Sequence, residues 1–224
     1  DKLRFGVIGV GGMGFGHVNT CLKSPVAELV AICDIDLDIA EGRRAEVEAD
    51  VPIYADYKEM IEKEDLDAVA LGTPHYLHAP MTIYAADHGL HVLTEKPMAV
   101  SVAECDAMIE ACSRNGVKLG VGHQRRWSGW MRGMRRVIND GTLGRPTRFS
   151  YSKASVRNEA YYASGEWRGT WAQEGGGALI NQFVHDLDVL CYLMGPPAEV
   201  MAYSANWGHA NEVDDLNLVI VRFV

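Results

Sequence analysis

Leu3-Arg4-Phe5-Gly6-Val7-Ile8 runs directly into Gly9-Val10-Gly11-Gly12-Met13-Gly14 and on into Phe15-Gly16-His17-Val18. An apolar run followed at once by G-x-G-x-x-G and an amphipathic stretch reads as a strand, a tight turn and a helix. The glycines let the chain turn sharply, bring backbone close to an anion and pack the helix on the strand. The helix N-terminus, beginning at Gly12 and Met13, offers unpaired N–H groups to phosphate. Asp34 stands 20 residues after Gly14, at the end of the next apolar run, where a carboxylate accepts hydrogen bonds from ribose hydroxyls. Loop and carboxylate together predict a dinucleotide site. Asp34 would repel a 2′-phosphate and no Lys or Arg follows it within eight positions, so NAD is expected rather than NADP. Arg43 and Arg44 read as solvated charges on the second helix.

Outward from this loop, short apolar runs at Leu3 to Ile8, Leu29 to Cys33, Ala68 to Leu71, His91 to Leu93 and Lys118 to Val121 alternate with helical patterns near 12–23, 37–49, 56–63, 77–88 and 101–115. The alternation predicts a Rossmann-type, doubly wound parallel sheet over residues 1–122, with ligands at the carboxyl ends of its strands. After Gly122 the rhythm changes. A basic and aromatic stretch and a helix lead to Asp140-Gly141-Thr142-Leu143-Gly144-Arg145-Pro146. Beyond it come a strand at 147–155, a helix from about 178 to 194 and strands at 198–205 and 216–224. Residues 123–224 therefore read as an α+β domain with a mostly antiparallel sheet. Its three strands would leave an open edge and a thin core, so a C-terminal part is expected to be missing.

The chain has 224 residues, 48% hydrophobic and 23% charged, with a net charge of -9. That composition fits a folded globular protein and argues against nucleic-acid or anionic-membrane partners, which need a basic surface. No run reaches the length of a spanning helix, and the opening Asp1-Lys2-Leu3-Arg4 is not a leader pattern, so a cytoplasmic protein is expected. The five cysteines are odd in number and show no C-x-x-C spacing, which suggests neither a disulfide framework nor a metal site.

Three further segments carry a resemblance. They are Thr73-Pro74-His75-Tyr76-Leu77-His78, Glu95-Lys96-Pro97, and Gly175-Gly176-Gly177-Ala178-Leu179-Ile180-Asn181-Gln182-Phe183-Val184-His185-Asp186-Leu187-Asp188. With the nucleotide loop, their order and spacing resemble the glucose-fructose oxidoreductase and inositol 2-dehydrogenase family, written Gfo/Idh/MocA. The resemblance implies two domains, NAD(P) in the first, and a substrate that is a sugar, sugar derivative or cyclitol. It implies that Lys96 is the catalytic lysine, that the Lys96-Pro97 bond is cis, and that Lys96 polarises the reacting oxygen. It implies that His185 takes the hydroxyl proton. Thr73, Pro74, His78, Glu95 and Gln124 are expected on the dinucleotide side.

On a continuous helix Asn181, His185 and Asp188 fall on one stripe. Asn181 stands where the inositol dehydrogenase pattern has aspartate, and an amide can orient a hydroxyl without acting as a base. Asp188 either holds the imidazole or serves as a surface charge. Arg168, in Trp167-Arg168-Gly169-Thr170-Trp171, and Arg126, in Gln124-Arg125-Arg126-Trp127, are candidate substrate contacts, with core tryptophans and surface arginines as the alternative. His17, His75, His88, His91 and His209 read as surface or structural. The expected activity is an NAD-dependent dehydrogenase working as a homo-oligomer, dimer or tetramer. A redox glycoside hydrolase and a non-catalytic NAD(P)-binding sensor stay open.

Overall fold

The computed structural model describes residues 2–224, so Asp1 of the opening segment lies outside it. The chain divides into two compact units, the first ending at Gly122 and the second starting at His123.

In the first unit β1 (Leu3–Ile8), β2 (Ala27–Cys33), β3 (Ile53–Tyr54), β4 (Ala68–Leu71), β5 (His91–Thr94) and β6 (Leu119–Val121) form one parallel sheet in the order β3-β2-β1-β4-β5-β6. The connecting helices are α1 (Met13–Lys23), α2 (Leu37–Glu46), α3 (Tyr57–Lys63), α4 (His78–Asp87) and α5 (Val102–Arg114). The strand order reverses between β1 and β4, which opens a crevice beyond their carboxyl ends. Only β3 escaped the sequence pattern, because two residues carry no periodicity.

The core shows how residue choice sets the two faces of the sheet. Phe5 and Val7 of β1 pack on one side with Leu29, Ile32 and Ala70, while Ile8 packs on the other with Ala31, Cys33, Val69 and Leu71. Within β2 the alternation breaks after Leu29. Phe5 pairs with Leu29 but Gly6 pairs with Ala31, so Val30 is an extra residue that reverses the parity. Gly6 has a reason of its own, since a Cβ there would lie 2.8 Å from Cε of the fully buried Met60.

The second unit contains a short turn at Gln124–Trp127, then α6 (Gly129–Asn139), α7 (Glu159–Tyr162), α8 (Ala178–Asn181) and α9 (Val184–Met194), and an antiparallel pair, β7 (Pro197–Ala205) and β8 (Leu216–Phe223). Two expectations are corrected. Residues 147–155 form no strand: they are exposed throughout and pair with neither β7 nor β8, and an extended segment without a partner leaves its backbone groups to water. The helix from 178 to 194 is two helices. The N–H groups of Gln182 and Phe183 both reach back to the carbonyl of Ala178, at 3.0 Å each, and Asp186 and Leu187 start again from Phe183. The turn gains a residue there, so Asn181 does not share one regular stripe with His185 and Asp188. Among the described residues no helix is long and apolar enough to cross a membrane.

Candidate functional site

Around the nucleotide loop, the glycines divide into two kinds. Gly9 has φ +79° and Gly14 faces it so closely that a Cβ on Gly14 would sit 1.7 Å from the Gly9 carbonyl oxygen. These two are required by the turn itself. Gly11 and Gly12 are different, since a Cβ on either would meet nothing within 4 Å. Among the described residues they leave a bare stretch of backbone, a cradle with open space where side chains would stand. Helix α1 starts there with no side-chain cap and no acidic residue in its first turn, and Met13 is exposed at its head. Asp34, just past β2, accepts from Val10 N at 2.8 Å and from Asp36 N at 3.1 Å, one bond on each carboxylate oxygen. Each oxygen retains acceptor capacity for a ribose hydroxyl. The cradle, the uncapped helix and the anchored carboxylate fit a dinucleotide.

Arg43 departs from its reading as a solvated charge. Its Nη2 donates to Gly11 O at 3.0 Å and its guanidinium lies 4.4 Å from the Phe15 ring centroid, so α2 delivers a cation to the rim of the loop. Nothing in the spacing from Asp34 signalled this.

Lys96 is carried past the end of β5, half-buried, and is followed by a cis bond to Pro97. Two buried side chains hold this loop. Glu95 accepts from Lys96 N at 3.3 Å and meets His17 Nε2 at 3.0 Å. Burial alone would raise its carboxyl, but the bond to His17 and the nearby Lys96 outweigh that and keep it below its ordinary range. Gly122 is bare where a Cβ would come within 3.2 Å of this carboxylate. His78 is fully buried at the start of α4, with Nδ1 2.8 Å from Pro97 O and Nε2 3.0 Å from Thr73 O. Burial pushes its imidazole below the ordinary value, against the two carbonyls. His78 thus sits fully buried between the Thr73-Pro74 loop and the Glu95-Lys96-Pro97 loop, with a ring nitrogen near a carbonyl of each. His17, read as structural, turns out to tie α1 to Glu95.

In the second unit Glu174, only 2% exposed, accepts from Gly169 N at 2.5 Å and from the Asn181 side-chain amide. Asn181 also donates to Tyr161 Oη at 3.1 Å, as do Gln182 at 2.9 Å and Arg168 Nη1 at 2.7 Å. The Arg168 guanidinium lies 4.4 Å from the centroids of both Tyr161 and Trp167. Arg168 and Asn181, predicted separately, therefore meet on Tyr161, which no motif had pointed to. Helix α8 begins at a triple glycine because Asp214 caps it from far along the chain. Its Oδ1 accepts from Gly177 N at 2.9 Å and its Oδ2 from Leu179 N at 3.2 Å, while its backbone carbonyl takes Ala178 N at 2.8 Å. A Cβ on Gly177 would lie 1.9 Å from that carbonyl oxygen.

Asp188 and Arg126 are brought together with each other. Arg126 Nε lies 2.9 and 2.8 Å from the two carboxylate oxygens, Nη2 adds a third contact, and the pair raises the guanidinium above its ordinary value. Asp188 also lies 3.8 Å from His123 Nδ1, and the His123 ring meets the His185 ring edge to face at 6.5 Å. Gln124 is exposed in its short turn. Among the described residues no cluster of His, Cys, Asp or Glu could hold a metal ion.

Residues 3–123 match the family model for an oxidoreductase NAD-binding Rossmann fold, and residues 131–224 match the Gfo/Idh/MocA C-terminal domain. The chain belongs to the Gfo/Idh/MocA oxidoreductase family. Among Gfo/Idh/MocA relatives, the 2,7-anhydro-N-acetylneuraminate hydratase of Mediterraneibacter gnavus is 31% identical over 98% of this chain and 58% of its own length. The NAD-dependent scyllo-inositol 2-dehydrogenase of Bacillus subtilis is 31% identical over 92% of this chain and 57% of its own. The chain thus spans somewhat over half the length of these Gfo/Idh/MocA proteins. The WlbA dehydrogenase of Bordetella pertussis, solved with NADH and UDP-GlcNAcA, superposes with a TM-score of 0.89 at 31% identity, covering 100% of this chain and 68% of that one.

Proposed function

We propose that the protein is an NAD-dependent dehydrogenase that oxidises a hydroxyl of a sugar, sugar derivative or cyclitol. The observation that carries this is in the first unit. The open glycine cradle, the anchored Asp34 and the doubly braced Lys96 loop all gather at the carboxyl ends of β1, β2, β4 and β5. That is the end of a doubly wound sheet where ligands bind. The inositol dehydrogenase relative and the nucleotide-sugar complex of WlbA support the substrate class.

In this reading the N–H groups of the cradle hold the pyrophosphate and Asp34 accepts from the ribose hydroxyls. Gln124, Thr73 and Pro74 border the dinucleotide, and Glu95 and His78 keep the Lys96 loop in place. NAD, when bound, supplies the hydride acceptor. Lys96 donates to the substrate oxygen and stabilises negative charge as the alcohol becomes a carbonyl. His185 removes the hydroxyl proton. Asn181 and Arg168 orient the ring hydroxyls. Arg126 joins them through Nη1, its Nε and Nη2 being bonded to Asp188. The reading includes a cytoplasmic homo-oligomer of two or four chains, which a single-chain mass by light scattering would exclude.

The hydratase relative favours one second reading. Hydration involves no net oxidation, so in this second reading the bound cofactor would take up the hydride and return it within one cycle. Absorbance of reduced nicotinamide, followed with NAD and a panel of sugars, nucleotide sugars and cyclitols, separates the two. The dehydrogenase gives net reduction that falls by about 10²–10³ in Lys96→Ala while NAD affinity holds. Equal turnover in Lys96→Ala overturns the role of Lys96, and product formation without net reduction supports the cycle.

A further inference from the structure

His209 stands in the connection between β7 and β8, and each of its ring nitrogens faces an acceptor. Nδ1 lies 3.0 Å from Asp215 Oδ2 and Nε2 lies 2.7 Å from the carbonyl oxygen of Arg157. Turning the ring over exchanges the two nitrogens and leaves both acceptors in place. A neutral imidazole has one N–H and one lone pair, so it donates to only one of them, whereas the imidazolium donates to both. Asp215 is an ionised partner. Burial alone would raise its carboxyl, but the bonds from Trp207 N at 2.8 Å, Gly208 N at 2.6 Å and His209 outweigh that and hold it below its ordinary range.

The other acceptor belongs to the residue that leads into α7. Asn158 caps that helix by accepting from Tyr161 N at 3.0 Å, and the Tyr162 ring centroid lies 4.8 Å from that of the imidazole. Tyr161 is the phenol on which Arg168, Asn181 and Gln182 meet. The Arg157 guanidinium lies 4.8 Å from the Tyr161 ring centroid, with Nη1 donating to Ser155 Oγ at 3.0 Å and Val156 O at 2.9 Å. The ionisable groups facing His209 are Asp215 from its own connection, and Glu159 and Tyr162 from α7. The Arg157 carbonyl first and the Asp215 carboxylate second lift the imidazole above its ordinary 6.5, against burial.

We infer that His209 is a positioning residue that, with a hydrogen on both ring nitrogens, clasps the entry of α7 to the β7–β8 connection and so holds Tyr161 in place. Loss of one proton opens the clasp on one side. The remaining N–H stays with the carboxylate, the stronger acceptor, and a lone pair then faces the Arg157 carbonyl. The folded ring holds its proton more tightly than the unfolded one. The clasp therefore contributes fully below about pH 6.5 and is lost as pH rises through the folded value. The meeting of Arg168, Asn181 and Gln182 on Tyr161 is in this way tied to the protonation of one histidine, whatever the substrate.

The test uses the full chain with no substrate present. The His209 ring signal in NMR, assigned by its absence from His209→Gln, is expected to titrate above 6.5 and to move down in Asp215→Asn. Trypsin reads the other side of the clasp, because the bond after Arg157 contains the carbonyl that His209 holds, while Arg148 lies exposed in the segment before it. Cutting after Arg157 relative to cutting after Arg148 cancels the pH dependence of the protease. The ratio is expected to rise about fivefold across the titration in the parent, the effect of one hydrogen bond, and to stay flat in His209→Gln. The side-chain NH₂ signals of Gln182, which donates to Tyr161, are expected to shift with the midpoint of His209. A ring that titrates at or below 6.5, or a ratio that stays flat in the parent, overturns the clasp. Gln182 signals that ignore the His209 transition overturn its hold on Tyr161. Should Asp215→Asn fail to fold, the titration of the parent ring and the ratio in His209→Gln decide the matter.

Discussion

Glu95 in the first unit and Glu174 in the second are both buried carboxylates, each holding a backbone N–H and one side chain beside a candidate functional residue. Their partners differ. Glu95 meets an imidazole, His17, from the helix that starts in the nucleotide loop, whereas Glu174 meets the amide of Asn181. An imidazole and a carboxylate both titrate in the range a cell or an assay can reach, and an amide does not. The two units therefore use the same kind of buried acid in two ways. In the first it joins the nucleotide loop to the Lys96 loop through a hydrogen bond with an imidazole, and in the second it accepts from a neutral amide.

The harshest way to break this comparison is through the glycines that make the two regions possible. A Cβ at Gly14 would overlap the Gly9 carbonyl oxygen at 1.7 Å, and one at Gly177 would overlap the Asp214 carbonyl oxygen at 1.9 Å. Both contacts are with backbone, so neither relaxes by rotating a side chain. Gly14→Ala and Gly177→Ala are each expected to cost more than about 3 kcal/mol, read by denaturant unfolding. Their functional signatures should separate. Gly14→Ala is expected to abolish NAD binding by calorimetry, while Gly177→Ala keeps it and loses turnover. Loss of NAD binding in both variants would show that the units are not independent in this respect.

A smaller effect sharpens the contrast in charge. The folded Glu95 carboxyl titrates below its ordinary value near 4.5, so its contribution to stability is fully present above that pH. It is lost as pH falls through the lower, folded value. His17→Ala removes the main partner of the ionised form and is expected to cost about 1.5–3 kcal/mol at neutral pH. The cost should shrink as pH drops below 4.5. Urea midpoints of parent and His17→Ala across that range check it. Curves that stay parallel into acid would mean that His17 contributes by packing rather than by charge.

The first unit was largely legible in the sequence because its determinants are local. A strand, a glycine turn and a helix are consecutive, and Asp34, Thr73 and Lys96 each follow the end of a strand that its apolar residues mark. The second unit was legible in parts. The triple glycine announced a helix start, but its cap, Asp214, comes from beyond β7, and the break at Gln182 and Phe183 follows from a backbone shift that no periodicity carries. Tyr161 was silent because it serves by collecting three side-chain donors from distant positions. Glu174 had a weak signal, an acid directly before glycines. The strand read at 147–155 failed because an extended segment becomes a strand only where a partner completes its ladder, and here it has none.

Arg43 offers the finest test of what the first unit presents to its ligand. The charge beside the nucleotide loop was read from Asp34 alone, yet Arg43 donates to Gly11 O at 3.0 Å, stacks on Phe15 at 4.4 Å and pairs with Glu46 at 2.8 Å. Its neighbour Arg44 reaches only Val51 O, at 3.3 Å, away from the loop. If the cation at the rim helps to hold the dinucleotide, Arg43→Ala should weaken NAD by about 3- to 10-fold, roughly 0.6–1.4 kcal/mol, and Arg44→Ala should leave it unchanged. The loss for NADP should be larger than for NAD, because a 2′-phosphate adds two charges that a cation at the rim of the loop would answer. Fluorescence titration of both variants with both dinucleotides gives the four ratios. Equal losses in the two variants would return Arg43 to a solvated charge. A loss confined to NAD would mean that the guanidinium stiffens the loop without answering the charge of its ligand.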